Sequence, residues 1–131
     1  ETGAYAAGDA LGSKGSFSSV PEHGYVVGIV VQDRDKEYPV FDLVLFDNND
    51  IGGTTDNAAL DPTDAELAYA MGAVRVSDYF AFNDNALGTV SGVRLPFWAR
   101  EGSLYFQCVI RAAHTFTAIT DLQVAIYVEV P

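Results

Sequence analysis

The sequence predicts an all-β fold: an antiparallel β-sandwich, jelly-roll-like or immunoglobulin-like, with one short inserted helix around residues 61-71. Apolar residues occupy every second position over Leu122–Val130 and again over Leu104–Ile110. That period of two is the period of a strand with one face on a core. Short runs of this kind are separated by Gly, Pro and Asn, as in antiparallel sheets.

Four further runs alternate in the same way and predict four more strands. They are Tyr25–Val31, Phe41–Leu45, Val74–Phe82 and Leu87–Leu95. Asp78 interrupts the third of these runs, which predicts a bulge or a bend at that point.

One segment has the residues of a helix start. Asp61 is the expected N-cap, and Pro62 suits the first helical position. Asp64 and Glu66 add negative charge where the helix dipole favours it. Gly72 is expected to end a helix of about ten residues by taking a left-handed conformation.

Residues 1-24 are rich in Gly and Ser and are expected to form an N-terminal arm and loop, followed by one sandwich domain over residues 25-131. Within the arm, residues 4–7 predict a short strand or an extended segment, and residues 12–19 a loop or a short edge strand. An extended arm either adds to a neighbour's sheet or frays in a monomer. The sequence leaves both open.

Length and charge limit the possible partners. The chain has 131 residues, with 18 acidic and 7 basic side chains and a net charge of -11. This length suits one compact domain. The charge excludes binding to nucleic acid through phosphate contacts and disfavours anionic lipid, and no segment approaches the ~20 apolar residues of a membrane span. We therefore expect no nucleic-acid partner and no membrane partner.

The charge is also uneven along the chain. No Lys or Arg lies between Lys36 and Arg75, while acids are frequent there, and four of the five arginines come at or after Arg75. This predicts an acidic region and a basic region of the surface, with the basic part available to an acidic neighbour.

The residues give little support to catalysis. Cys108 is the only cysteine and falls in an apolar run, so it is expected to be a buried small hydrophobe. Ser91 is one place late for a nucleophile elbow, and His23 and His114 have no catalytic partner in the nearby sequence. We expect no catalytic residues, no cofactor and no enzyme activity. A hydrolase built on His23 or His114 stays a third hypothesis.

One loop has the oxygen-rich composition of a calcium site, with Asp47, Asn49 and Asp50 as candidate ligands. Ile51 and Ala58 stand where the EF-hand pattern requires ligands, so the template is incomplete. Turn formation and solvation are the preferred explanation of these residues, because Asp and Asn bond their own backbone in turns.

Two aromatic groups remain. Phe80 and Phe82 are expected in the core. Phe97 and Trp98, with Arg100 nearby, fit either a corner of the core or a surface that contacts sugar or protein.

Across nearly its whole length the chain resembles a family of small virion-associated proteins of tailed bacteriophages. The resemblance rests on the segments Ala4–Asp9, Leu43–Asp47, Thr55–Leu60, Asp64–Leu67, Asp84–Ala86 and Leu122–Val130. It implies a capsid decoration or other structural role at the virion surface, with the major capsid protein as partner and a homotrimer as the favoured assembly. It implies no active site.

The leading hypothesis is therefore a non-enzymatic phage capsid decoration (cement) protein that binds the outer surface of the head and stabilises it. The alternative is a tail or fibre module that binds host-surface glycan or protein, with Trp98 and the Asp47–Asp56 loop as contacts. The candidate interface residues are Tyr5, Asp9, Phe97, Trp98 and Arg100.

Overall fold

A computed structural model describes residues 3–48, 55–116 and 122–131 of the chain, which form ten strands and one helical turn. The strands are β1 (Gly3–Tyr5), β2 (Ala10–Ser18), β3 (His23–Asp33), β4 (Phe41–Phe46), β5 (Ala70–Val76), β6 (Tyr79–Ala81), β7 (Ala86–Trp98), β8 (Ser103–Ile110), β9 (His114–Phe116) and β10 (Leu122–Glu129). The helical turn is α1 (Asp64–Leu67). The predicted all-β sandwich is confirmed.

Two four-stranded antiparallel sheets build the sandwich. Sheet I has the strand order β10-β3-β7-β6, and sheet II has the order β2-β8-β4-β5. A short ladder pairs β1 with β9. The chain crosses repeatedly between the sheets, and only β4–β5 and β6–β7 are sequence neighbours that pair within one sheet.

The core lies between the two sheets. It consists of the apolar residues that face inward on each strand. Its fully buried members come from β3, β4, β5 and β8 above all. They include Val26, Ile29, Val31, Phe41, Leu43, Leu45, Val76, Leu104 and Ile110. Cys108 is buried among them as expected, and burial raises the pKa of its thiol to about 12.

The predicted ten-residue helix is wrong in its start and its length. Thr63, not Asp61, is the N-cap: its hydroxyl accepts from the Glu66 amide at 3.2 Å, and the Glu66 carboxylate accepts from the Thr63 amide at 2.8 Å. The helix ends at Leu67, which is 51% exposed. Pairing with β4 takes the following residues into β5, so Gly72 lies in a strand and caps no helix.

The N-terminal segment takes the two strand alternatives that the sequence allows, a short strand near residues 4–7 and an edge strand over residues 12–19, and both are paired within the sandwich. β2 pairs with β8 at the edge of sheet II, and β1 pairs with β9. Tyr5 is only 2% exposed and packs edge-on against Phe116 at 5.2 Å between ring centroids. The Tyr5 hydroxyl donates to the Asp56 carboxylate at 2.8 Å, and the Gly12 amide donates to the same group at 2.6 Å. Asp56, which precedes α1 in the chain, thus links the N-terminal segment to the segment before α1 through these hydrogen bonds.

The core placement of Phe80 and Phe82 is wrong: these side chains are 61% and 54% exposed. The bend predicted at Asp78 is present, and there the chain leaves sheet II and enters sheet I. Tyr79 then takes the inward position, with its ring against Gly88 and its hydroxyl donating to the Pro39 carbonyl. Since neighbouring residues of a strand point to opposite faces, Phe80 points outward.

Candidate functional site

The strongest charge cluster joins one buried carboxylate to two arginines. Asp42 in β4 is 8% exposed and lies opposite Arg75 of β5 in the ladder. Arg75 donates through Nε at 2.7 Å and Nη2 at 3.1 Å, and Arg111 donates through Nε at 2.7 Å. The hydrogen bond from Arg75, supported by Arg111, lowers the pKa of Asp42 although burial opposes this. Asp42 therefore stays ionised at neutral pH and acts as a structural cross-link.

The remaining ion pairs contradict the expected separation of acidic and basic regions. The guanidinium of Arg94 lies 3.3 Å from Glu129, and that of Arg100 lies 3.9 Å from Asp47. All four arginines from position 75 onward therefore have a carboxylate beside them. The fold mixes the two signs of charge because the arginines pair with acids that are distant in sequence.

The two histidines lie in separate environments. His114 Nε2 is 2.9 Å from Glu37 Oε2, with the two side chains 24% and 9% exposed. His23 is at the start of β3, 60% exposed and 3.8 Å from Glu22. Within the described ranges, neither ring has a hydrogen bond to a hydroxyl or a thiol. The partners of the two rings are carboxylates, Glu37 for His114 and Glu22 for His23.

The calcium candidate is only partly described. Asp47 follows β4, and its side chain is 18% exposed and faces the Arg100 guanidinium. Asn49 and Asp50 lie outside the described residues. Among the residues that are described, no group of three or more His, Cys, Asp or Glu side chains is arranged to hold a metal ion. The calcium site stays a prediction.

One exposed cluster surrounds the only tryptophan. We call Trp98, His23, Arg100 and Glu22 the tryptophan cluster. The indole is 43% exposed, stacks on His23 at 5.5 Å and lies beneath the Arg100 guanidinium at 4.1 Å. Its Nε1 donates to Glu22 at 3.3 Å. A shallow cavity of about 340 Å³ adjoins it, lined by Asp47, Met71, Pro96, Phe97 and Trp98.

A second exposed cluster lies at the β6 edge of sheet I. We call Phe80, Phe82 and Leu87 the phenylalanine surface. Phe80 lies directly opposite Leu87 on the paired strands β6 and β7, so both occupy the outer face. Phe82 follows β6, where its amide donates to Asn85 and closes the hairpin.

Two cavities flank this surface. One of about 650 Å³ is lined by Phe80 with Arg75 and several hydroxyl side chains. The other, of about 520 Å³, is lined by Phe82 and Leu87 together with Arg34. Both cavities therefore combine an exposed aromatic side chain with a guanidinium group.

The structure separates the five predicted interface residues. Trp98 and Arg100 lie together at the surface. Tyr5 and Phe97 are core residues, 2% and 5% exposed, and do not reach it. Asp9 is half-buried, and its carboxylate accepts from the Ala6 amide at 2.8 Å, which is turn chemistry.

Phe80 and Phe82 were the surface residues that the sequence interpretation missed. Gly88 is the residue in the sequence that could have indicated their exposure. It leaves room for the Tyr79 ring on the inner face, so that Phe80 faces outward. A Cβ at Gly88 would lie 2.7 Å from that ring.

In comparisons with known protein families, curated proteins and solved structures, nothing matches this chain. Separately, no helix formed by the described residues is long and apolar enough to cross a membrane.

Proposed function

We propose that the protein is a non-enzymatic phage capsid decoration protein that binds the outer surface of the head through its phenylalanine surface. The observation that carries the proposal is the pair of large aromatic side chains, Phe80 and Phe82, which are two residues apart and both more than half exposed. The family resemblance of the sequence supplies the kind of partner, the major capsid protein.

The energetics favour a protein partner at this surface. Burial of a Phe side chain that is otherwise left in water is worth roughly 1.5–3 kcal/mol. Aromatic anchors of this kind, with neighbouring pockets and arginines, are typical of interface centres. β6 is only three residues long, so the anchoring comes from side chains rather than from addition of a strand.

The variant Phe80→Ser/Phe82→Ser tests this surface. We expect its affinity for purified heads that lack the protein to fall by about 100-fold or more, because two anchors are removed. Its melting temperature should stay close to that of the wild type, because both side chains are exposed. Co-sedimentation with heads measures the affinity, and circular dichroism measures the melting.

A control variant removes two other exposed apolar side chains. Leu67 and Val130 are 51% and 65% exposed and lie outside the phenylalanine surface. The Leu67→Ser/Val130→Ser variant should bind heads like the wild type. Equal binding by the phenylalanine variant and the wild type would exclude the proposed contact.

The tryptophan cluster favours a second candidate, a tail or fibre module that binds host-surface glycan. An exposed indole beside the Asp47 carboxylate offers a stacking face and an acceptor for sugar hydroxyls. Trp98 is the only tryptophan, so its fluorescence reports on this cluster alone. A saturable fluorescence change with purified host polysaccharide, weakened in Asp47→Asn, would favour this candidate. An unchanged spectrum would remove it.

A further inference from the structure

Among the described residues, the outer edge of β10 is an open strand edge. β10 pairs with β3 on one side, and in the part of the chain that the structure describes no strand pairs with its other side. An unpaired edge presents a row of backbone donors and acceptors that another strand can use. Natural sheets blunt such edges with short strands, charges, Pro or bulges.

The other three sheet edges carry such features. β6 has only three residues. β2 contains Lys14 and a register irregularity between Leu11 and Gly15. β5 contains Arg75 and Gly72, whose φ is 150°. The pairing of β5 with β4 also has a register shift at the β4 residue Phe46.

β10 carries fewer of these features, with one charge at its end. Its eight residues include no Gly, Pro, Lys or Arg, and its burial alternates without a break from Leu122 to Glu129. The register shift with β3 places the extra residue, Val27, on β3, so β10 itself stays regular. Its one charge, Glu129, lies 3.3 Å from Arg94 of the same molecule.

We infer that two copies of this chain pair antiparallel through β10, joining their two copies of sheet I into one eight-stranded sheet. A two-fold axis normal to the sheet brings the inner faces of both copies to the same side. The inward residues Val124, Ile126 and Val128 are only half-buried in one copy and pack against its core. The second copy would extend that core with the same three residues.

Side-chain phase limits the register. Inward residues must lie opposite inward residues, which permits any pairing centred on a residue of β10, and we take the one centred on Ile126. In that pairing Ile126 lies opposite its own equivalent, and the large Tyr127 lies opposite the small Ala125 of the second copy. Glu129 then lies opposite Gln123, so no like charges face each other across the strands. A second copy is thus a complementary occupant of this edge.

The pairing closes at two copies, because the interface is isologous and the other edges are blunted. It predicts a dimer instead of the homotrimer implied by the resemblance. Each chain carries a net charge of -11, so the copies repel at long range and added salt should strengthen the dimer. This inference does not rest on the proposed function.

Sedimentation velocity of the full chain tests it. At about 0.1 mM, where an interface with a Kd of ~10 μM is mostly formed, we expect a species of twice the 14.0 kDa chain mass. Raising the ionic strength should increase its share. A monomer or a trimer under these conditions would overturn the inference.

Pairs of substitutions with opposite charge in β10 test whether this strand forms the interface. Ala125→Lys/Tyr127→Lys places lysines opposite each other in the proposed register, and Ala125→Glu/Tyr127→Glu places glutamates there. Each variant should dimerise at least tenfold more weakly than the wild type, and a mixture of the two should recover the dimer. The mixture also separates lost pairing from misfolding, since misfolded chains would not recover it.

A control on the other sheet keeps the charge change equal. Ser16→Lys/Ser18→Lys alters exposed residues of β2 and adds the same two charges. It should dimerise like the wild type. Dimers of undiminished affinity in both β10 variants would place the interface elsewhere and refute the inference.

Discussion

Replacing Tyr5 by Ala is expected to lower the free energy of unfolding by about 3–5 kcal/mol, the usual cost of removing a large buried aromatic side chain. Tyr5 is 2% exposed, contacts Phe116 edge-on and bonds Asp56. The loss should appear as a lower midpoint in urea denaturation. A comparably large effect is not expected at a residue of a free N-terminal arm.

Tyr5→Phe is the matched control. It keeps the ring in the core and removes only the hydroxyl that donates to the Asp56 carboxylate. A hydrogen bond to a charged group contributes about 1.5–3 kcal/mol, so the Phe variant should lie between the wild type and Tyr5→Ala. If Tyr5→Ala unfolds at the wild-type midpoint, the first strand is not part of the folded unit.

Replacing Asp42 by Asn is expected to destabilise the fold by roughly 2–3 kcal/mol. This is less than the 3–5 kcal/mol typical of a broken, fully buried pair, because both arginines reach solvent. The change removes the negative charge shared by Arg75 and Arg111 and leaves their two positive charges close together. Urea denaturation at neutral pH measures the loss.

Acid should remove the same contribution from the wild type. The pKa of Asp42 is lowered in the folded state, chiefly by Arg75, and is about 3.9 in an unfolded chain. Its stabilisation is therefore complete above the unfolded pKa and is lost as the pH falls through the folded pKa. The stability difference between wild type and Asp42→Asn should shrink below about pH 4.

Asp35→Asn serves as the control for this pH dependence, because Asp35 is exposed in the turn after β3. The free energy of unfolding of this variant should equal that of the wild type at every pH. A difference between wild type and Asp42→Asn that stays constant from neutral pH into the acid range would contradict the role given to Asp42.

The strand pattern was predictable because alternation in one strand depends on local sequence and on which face meets the core. Leu122–Val130 and Leu104–Ile110 therefore gave correct strands. Phe80 lies outside the core because the chain changes sheets at Asp78 and the phase of the alternation resets there. The phase on each side of such a bend depends on tertiary contacts, here Tyr79 over Gly88.

The length of the helix and the long-range contacts of the N-terminal segment were not predictable for a related reason. The signals at Asp61 and Gly72 are real local preferences, but the ladder between β4 and β5 uses the backbone that a longer helix would need. The Gly- and Ser-rich composition of the first residues is typical of a flexible segment. Tyr5 nevertheless holds this segment in place by its hydrogen bond to Asp56, which lies 51 positions away. Contacts at such separations leave no local periodicity.

The candidate surfaces were predictable only in part. The sequence places Trp98 and Arg100 two residues apart and leaves Trp98 between a core corner and a surface, and in the structure the two side chains form a stacked pair. Asp42, in contrast, lies inside an apolar strand and gave no sign of its partners, because Arg75 and Arg111 are 33 and 69 positions away.

Counting copies on purified virions by cryo-electron microscopy tests the central claim most directly, because location and stoichiometry separate a decoration protein from a tail module. The decoration role predicts on the order of hundreds of copies spread over the head with the symmetry of the shell. About a dozen copies confined to the tail would contradict it.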